Sequence, residues 1–225
     1  MIKNLTILYY TPNYKSETFA EKIRQKLLET IGNTPLISVS QKPLKFGQNI
    51  CVGMIGRSVS NVYRQILIGC KEAKTDYVGM AEDDTLYPAV HFDEHYLPPL
   101  DTFAYNMSRW SIPTWIKPPT YVITQRLCNS NLIAPRKLLI ELIEKRFKID
   151  KGQRKLWSEP GKHDVEYGLN YRGRWFVTTP TVSFIHGEAL GFEFLGKRKK
   201  INPMRAYEIP EWGKVSELMK NFYDR

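Results

Sequence analysis

Tyr77-Val-Gly-Met-Ala-Glu82-Asp83-Asp84 decides the fold: an apolar, β-rich run passes directly into three consecutive carboxylates. A second such run, Leu5-Thr-Ile-Leu-Tyr-Tyr10, stops at the turn cluster Thr11-Pro12-Asn13. Between the two, Ser16 opens a stretch with Ala20, Ile23, Leu27 and Ile31 at helical spacing, closed by Gly32-Asn33. Residues 36–39 read as a strand and the glycine-bearing residues 46–56 as a loop. Ser58 then caps a helix whose buried stripe is Val59, Val62, Ile66 and Cys70. Strand, helix, strand, helix, strand predicts an α/β fold, a mostly parallel sheet flanked by helices. Ligands of such sheets gather at the carboxyl ends of the strands, where both Thr11-Pro12-Asn13 and Glu82-Asp83-Asp84 fall.

Three adjacent carboxylates at a strand end repel one another unless a cation or hydrogen-bond donors neutralise them. Mn²⁺ or Mg²⁺ is the cofactor this pattern predicts, held by one or two carboxylates and completed by phosphate oxygens and water. A solvated acidic turn is the competing reading.

Composition sets the outer bounds. At 225 residues with 42% hydrophobic and 25% charged residues, the chain has ordinary globular composition and fits a single domain. No apolar run approaches the roughly 18 residues that a membrane span needs. The three cysteines, Cys51, Cys70 and Cys128, lack metal-ligand spacing and read as reduced, buried thiols of a cytoplasmic protein. A formal charge of +10 favours a polyanionic partner: nucleic acid, an anionic membrane face or a nucleotide.

Downstream, residues 98–121 are rich in proline and show little periodicity; Tyr105, Arg109, Trp110 and Trp115 form an aromatic and basic cluster there. Pro135 opens a helix that continues towards Phe147, and residues 145–155 read as a basic loop. Residues 164–169 form a short helix, and 175–177 and 181–185 are late strands, the second ending at His186. Lys197-Arg198-Lys199-Lys200 is a basic run, and Val215, Leu218, Met219 and Phe222 stripe a last helix.

The passage from Gly69-Cys-Lys-Glu-Ala73 through Tyr77 and Glu82-Asp83-Asp84 to Pro88 resembles the segment around the DxD motif of family 2-like glycosyltransferases. Asn131-Leu-Ile-Ala-Pro-Arg-Lys-Leu-Leu, Gly161-Lys-His-Asp164-Val-Glu166 and Pro180-Thr-Val-Ser-Phe-Ile-His186 are similar to that family's later blocks, in the same order. The resemblance covers roughly residues 5–187. It implies a GT-A, Rossmann-like fold, with residues 1–88 binding a nucleotide-sugar donor such as a UDP-sugar and 89–225 binding the acceptor. By the same resemblance Asp84 ligates the metal, Glu82 or Asp83 holds the ribose or a second metal position, and His186 is a further ligand. Asp164 is then the general base, with Glu159 and Glu166 as rivals. Arg57, Arg64, Lys197 and Arg198 are the candidate diphosphate contacts, and Thr11, Pro12 and Asn13 the nucleobase contacts.

Three departures accompany the likeness: the first DxD position is Glu82, His163 precedes Asp164, and Ile66 and Leu67 stand where the family has an Arg-Asn pair. On the acceptor side, Arg109, Trp110 and Trp115 suit a glycan or a flipped nucleobase. With the +10 charge, the leading expectation is a hydroxylated base in DNA, similar to the small DNA-modifying sugar transferases of bacteriophages. A surface polysaccharide or lipid-linked glycan is the alternative acceptor. A nucleotidyltransferase is a second class, but its glycine-rich, lysine-bearing loop is absent after the first strand. A non-catalytic nucleic-acid-binding protein is a third, and it leaves the carboxylates unexplained.

Overall fold

The computed structural model describes residues 4–187 and 204–223. In chain order the elements are β1 (Leu5–Thr11), α1 (Glu17–Ile31), β2 (Leu36–Ser40), β3 (Gln48–Cys51), α2 (Val59–Glu72), β4 (Tyr77–Glu82) and β5 (Thr85–Leu86). There follow β6 (Thr102–Asn106), β7 (Arg109–Pro113), β8 (Tyr121–Ile123), β9 (Leu132–Pro135), α3 (Arg136–Ile149), β10 (Arg172–Phe176) and β11 (Thr181–Ile185). Beyond the undescribed stretch come β12 (Arg205–Ala206), β13 (Glu208–Ile209), β14 (Gly213–Lys214) and α4 (Val215–Tyr223).

The main sheet has the order β10-β6-β9-β4-β1-β2-β3, and every pairing in it is parallel except those of β9 with β4 and β6. The fold is therefore the α/β, mostly parallel sheet flanked by helices that the element pattern predicts. The alternation of β1 shows how it is covered. Leu8 and Tyr10 face α2 and α3 in one core, and Ile7 and Tyr9 face Leu27 and Ile31 of α1 in another. A sheet covered on both faces needs strands that are apolar throughout, and all seven residues of β1 are buried. Gly69 lets α2 lie close on β1: a Cβ there would stand 2.0 Å from Leu8 Cδ1.

A smaller sheet, β12-β8-β7-β11-β5, packs its inner side with Phe19 and Ile23 of α1 and Phe222 of α4. The triplet is the corner between the sheets, since β4 ends at Glu82 in the first and β5 begins at Thr85 in the second. The Phe184 N–H donates to the Asp84 carbonyl at 2.8 Å and closes that corner.

Several local expectations change. Residues 46–56 are not all loop, because Gln48–Cys51 pair with β2 as an edge strand. Residues 98–121 hold β6, β7 and the first residue of β8, whose pairings join distant segments and leave no local periodicity to read. Helix α3 runs on to Ile149, so the basic loop starts later than residue 145. Cys51 lies exposed on that edge strand, while Cys70 is buried. No described helix is long and apolar enough to cross a membrane.

Candidate active site

In the order β3-β2-β1-β4 the chain steps outward from β1 and then returns to the other side of it. Such a reversal opens a crevice at the carboxyl ends of the two central strands. Thr11 and Glu82 end those strands, and side chains sew the two ends together. Tyr10 Oη donates to Glu82 Oε1 at 2.7 Å, and Thr11 Oγ1 donates to Asp83 Oδ2 at 2.5 Å. Gln65, on the inner face of α2, donates from Nε2 to the carbonyls of Thr11 and Val39, at 3.0 and 2.9 Å.

These donors do not neutralise the triplet. Burial pushes the Asp84 carboxyl up to about 7, and the charges of Asp83 and Glu82 add to the effect. Burial likewise raises Glu82 and Asp83, against the hydrogen bonds from Tyr10 and Thr11 that pull them down. Asp84 has the weakest contact of the three, a 3.3 Å hydrogen bond from its neighbour Thr85. Opposing charge comes from Lys15, which acts on Asp83 and Asp84, and from Arg57, which acts on Asp83. Arg109 acts on Glu82 and Asp84.

Arg109 is buried, with its charge directed at the triplet. It is 6% exposed, its Nε donates to Ser183 Oγ at 3.1 Å, and its Nη1 is buried with no hydrogen-bond partner. The reason is strand alternation: on β7 Arg109 and Ser111 face one way, and Trp110 and Ile112 face the other, into the small core. Trp110 packs edge-on to Tyr121, and Trp115 is 42% exposed in the turn beyond β7. The structure thus separates the three residues expected to bind acceptor.

Of the residues after β1, Asn13 sits at φ 57°, and its Oδ1 accepts from the amides of Gln41 and Lys42 at 2.8 and 3.0 Å. It ties two loops together at the crevice, with Pro12 beside it. Arg57 lies over the Tyr14 ring, 5.0 Å from its centroid, on the triplet side. Arg64 does not reach the triplet. It is exposed on α2 and stacks on Phe147 of α3, because one step along a helix turns a side chain by about 100° and it is Gln65 that faces inward. Lys197 and Arg198 lie outside the described residues.

His186 is 8% exposed, with Nε2 3.3 Å from the Tyr223 hydroxyl and its ring against Phe19 and Tyr223. Among the described residues no three His, Cys, Asp or Glu side chains converge as a ligand set. Asp164 is also placed differently from a free base. It is 2% exposed, its Oδ1 accepts from Arg146 Nε and Nη2 at 2.9 and 2.7 Å, and its Oδ2 accepts from the Gly161 amide at 2.7 Å. Glu166 is exposed and held by His163 and Lys155. The charge of Glu159 is among those that raise the Glu82 carboxyl, after burial and the charge of Asp83.

Lys15, Tyr10 and Arg146, none of them among the expected site residues, and Gln65, beside the position of the missing Arg-Asn pair, contribute to these two clusters. Lys15 stands two residues beyond the noted turn, and the other three lie on faces that only the packed fold defines.

No protein-family model matches the sequence, and no curated protein matches it. Among solved structures, a glycosyltransferase involved in the glycosylation of the major capsid of PBCV-1 is similar at 13% identity and TM-score 0.47, over 77% of this chain and 81% of that one. The mannosyltransferase PcManGT from Pyrobaculum calidifontis, solved with GDP-Man and Mn²⁺, is similar at 13% and 0.46, over 85% and 59%. A CMP:2-keto-3-deoxy-manno-octonic acid synthetase complexed with CTP is similar at 10% and 0.43, over 78% and 91%.

Proposed function

We propose that this protein is a metal-dependent glycosyltransferase of the GT-A type, moving a sugar from a nucleotide-sugar donor, read as a UDP-sugar, to a hydroxyl acceptor. One observation carries the reading: three adjacent carboxylates, Glu82, Asp83 and Asp84, lie in the crevice between β1 and β4 and are only partly neutralised by protein donors. The donor set fits a hard divalent ion. Its atoms are carboxylate oxygens, and Asp84 carries a raised pKa that a cation would relieve. Asp84 would hold Mn²⁺ or Mg²⁺, which when bound supplies positive charge to a leaving diphosphate. Tyr10 and Thr11 hold Glu82 and Asp83 in place, and Lys15 and Arg57 add cationic charge beside a diphosphate. The start of α2 beyond Arg57 favours an anion as well.

The acceptor we infer is a hydroxylated base in DNA. Its support is the +10 charge and the exposed Lys148, Lys151, Arg154 and Lys155, a stretch that leads directly to Glu159. Sugar-sized mass gain on nucleosides of hydroxymethylated DNA, and none on unmodified DNA, is the expected result. Transfer to a glycan or lipid hydroxyl alone would replace this acceptor. The donor half is tested by thermal shift with UDP, GDP and dTDP, each with and without Mn²⁺. One diphosphate should stabilise the protein only with the metal, and Asp84→Ala should abolish that shift. Unchanged metal dependence in Asp84→Ala would remove the site from the triplet.

A further inference from the structure

Residues 158–161 carry Glu159 between two short 3₁₀ turns, and buried side chains fix nearly every backbone group around it. The Ser158 carbonyl accepts from Tyr63 Oη at 2.6 Å and from Arg146 Nη1 at 2.7 Å. The Pro160 carbonyl accepts from Tyr105 Oη at 2.7 Å, and the Gly161 amide donates to Asp164 at 2.7 Å. Gly161 itself takes φ +80°, a left-handed conformation suited to glycine. Tyr63, Tyr105 and Arg146 are fully buried, and the Arg146 guanidinium lies 5.3 Å from the centre of the Tyr63 ring. The Tyr63 hydroxyl also accepts from Asn129 Nδ2 at 3.1 Å.

A buried ion pair adds little net stability over an apolar replacement. Each of the three Arg146 nitrogens donates either to Asp164 or to the Ser158 carbonyl, and Asp164 also accepts from the Gly161 amide. What the loop presents is the Glu159 carboxylate, 24% exposed, ion-paired at 3.1 Å with the half-exposed Lys162. Tyr105 is next to the end of β6, which runs parallel to β4, so its hydroxyl anchors the loop on the same sheet edge as the triplet. The charge of Glu159 is felt at Glu82 and at both tyrosines.

We propose that Asp164 is not a proton acceptor but half of a buried clamp, with Arg146, Tyr63 and Tyr105, that fixes Glu159 as the carboxylate activating the acceptor hydroxyl. The proposal rests on the glycosyl-transfer reading above. In the step, the acceptor O–H bond breaks and its proton passes to a Glu159 oxygen. The acceptor oxygen's electron pair forms the bond to the anomeric carbon, while the bond from that carbon to the diphosphate oxygen breaks and its pair departs on the nucleoside diphosphate. The displacement inverts the anomeric centre. Glu159 is the catalytic residue; Arg146, Asp164, Tyr63 and Tyr105 are positioning residues.

The test measures nucleoside-diphosphate release from UDP-, GDP- and dTDP-hexoses, with water or hydroxymethylated DNA as acceptor. Glu159→Gln should keep the Mn²⁺-dependent shift with nucleoside diphosphate and lose turnover by about 10²-fold or more, the scale of a general base. Formate should restore part of the activity of Glu159→Ala, because a small carboxylate fits the space left. Tyr105→Phe removes one anchor without emptying the core; it should lower kcat several-fold and leave the donor KM unchanged. Turnover of Glu159→Gln within threefold of wild type overturns the proposal while leaving the donor site standing. So does Tyr105→Phe with unaltered kcat, or Asp164→Ala that is folded, inactive and rescued by formate. If wild type releases no diphosphate from any donor, the glycosyl-transfer reading fails, and this proposal with it.

Discussion

Two clusters of buried carboxylate chemistry stand at the same sheet edge and are built on opposite terms. At Asp164 the charge is fully met: Arg146 supplies two N–H groups to one oxygen, and the Gly161 amide meets the other. At Glu82-Asp83-Asp84 three acids share the part-charges of Lys15, Arg57 and Arg109, and Asp84 is left with a pKa raised to about 7. A satisfied buried charge organises chain; an unsatisfied one holds back free energy that a ligand can release. The difference separates support from chemistry more sharply than residue type does, since both clusters are simply aspartates near helices in the sequence.

The comparison can be broken most severely at Arg146. Arg146→Met strands Asp164 in the core and should cost about 3–5 kcal/mol of unfolding free energy, read from urea denaturation. Adding Asp164→Leu should return most of that stability without returning turnover. If the double variant is active, the pair supports the fold alone.

At the triplet the sign should reverse. Asp84 has a folded pKa above its unfolded value, so its contribution is most favourable below the unfolded value and is lost as pH rises through about 7. Asp84→Asn removes that penalty. At pH 8 without metal it should gain on the order of 1 kcal/mol while losing Mn²⁺-dependent binding. A destabilised metal-free variant would mean that the triplet is already neutralised, and the contrast with Asp164 would disappear.

His91 offers the smallest effect and a control outside both clusters. It is wholly buried, its Nδ1 lies 3.1 Å from Asn106 Nδ2, and its Nε2 is without a partner. Burial pushes its pKa down to about 3. The folded chain refuses the proton that the unfolded chain takes below about 6.5, so stability falls between 6.5 and about 3 as pH drops. From pH 7.5 to 6.0 the loss should be about 0.8 kcal/mol, and His91→Leu should flatten that slope whatever its offset. An unchanged slope would assign the acid sensitivity elsewhere.

The strand-and-triplet grammar of the first 84 residues was readable because β1 and β4 are apolar throughout and each stops at a chemically distinct cluster. Strands β6 to β8 were not, because their partners lie far along the chain and prolines interrupt them. Around the candidate site, single steps along the chain decide which side chain faces inward. Arg109 and Trp110 are adjacent in the sequence, but a strand sends neighbours to opposite faces; Arg64 and Gln65 are adjacent too, and the helix turns only Gln65 inward. The resemblance marks Asp164 by its place in a motif, and only the packed core reveals Arg146, 18 residues before it, closing on it.

Asp84 serves its two neighbourhoods through different atoms. Its side chain faces the crevice, while its main-chain carbonyl receives the Phe184 amide and holds the second sheet to the first. Every amino acid at this position keeps that carbonyl. Position 84 is thus one where evolution or an engineer can exchange charge, length or ligand hardness and leave the joint between the sheets intact, so the chemistry can be retuned independently of the architecture.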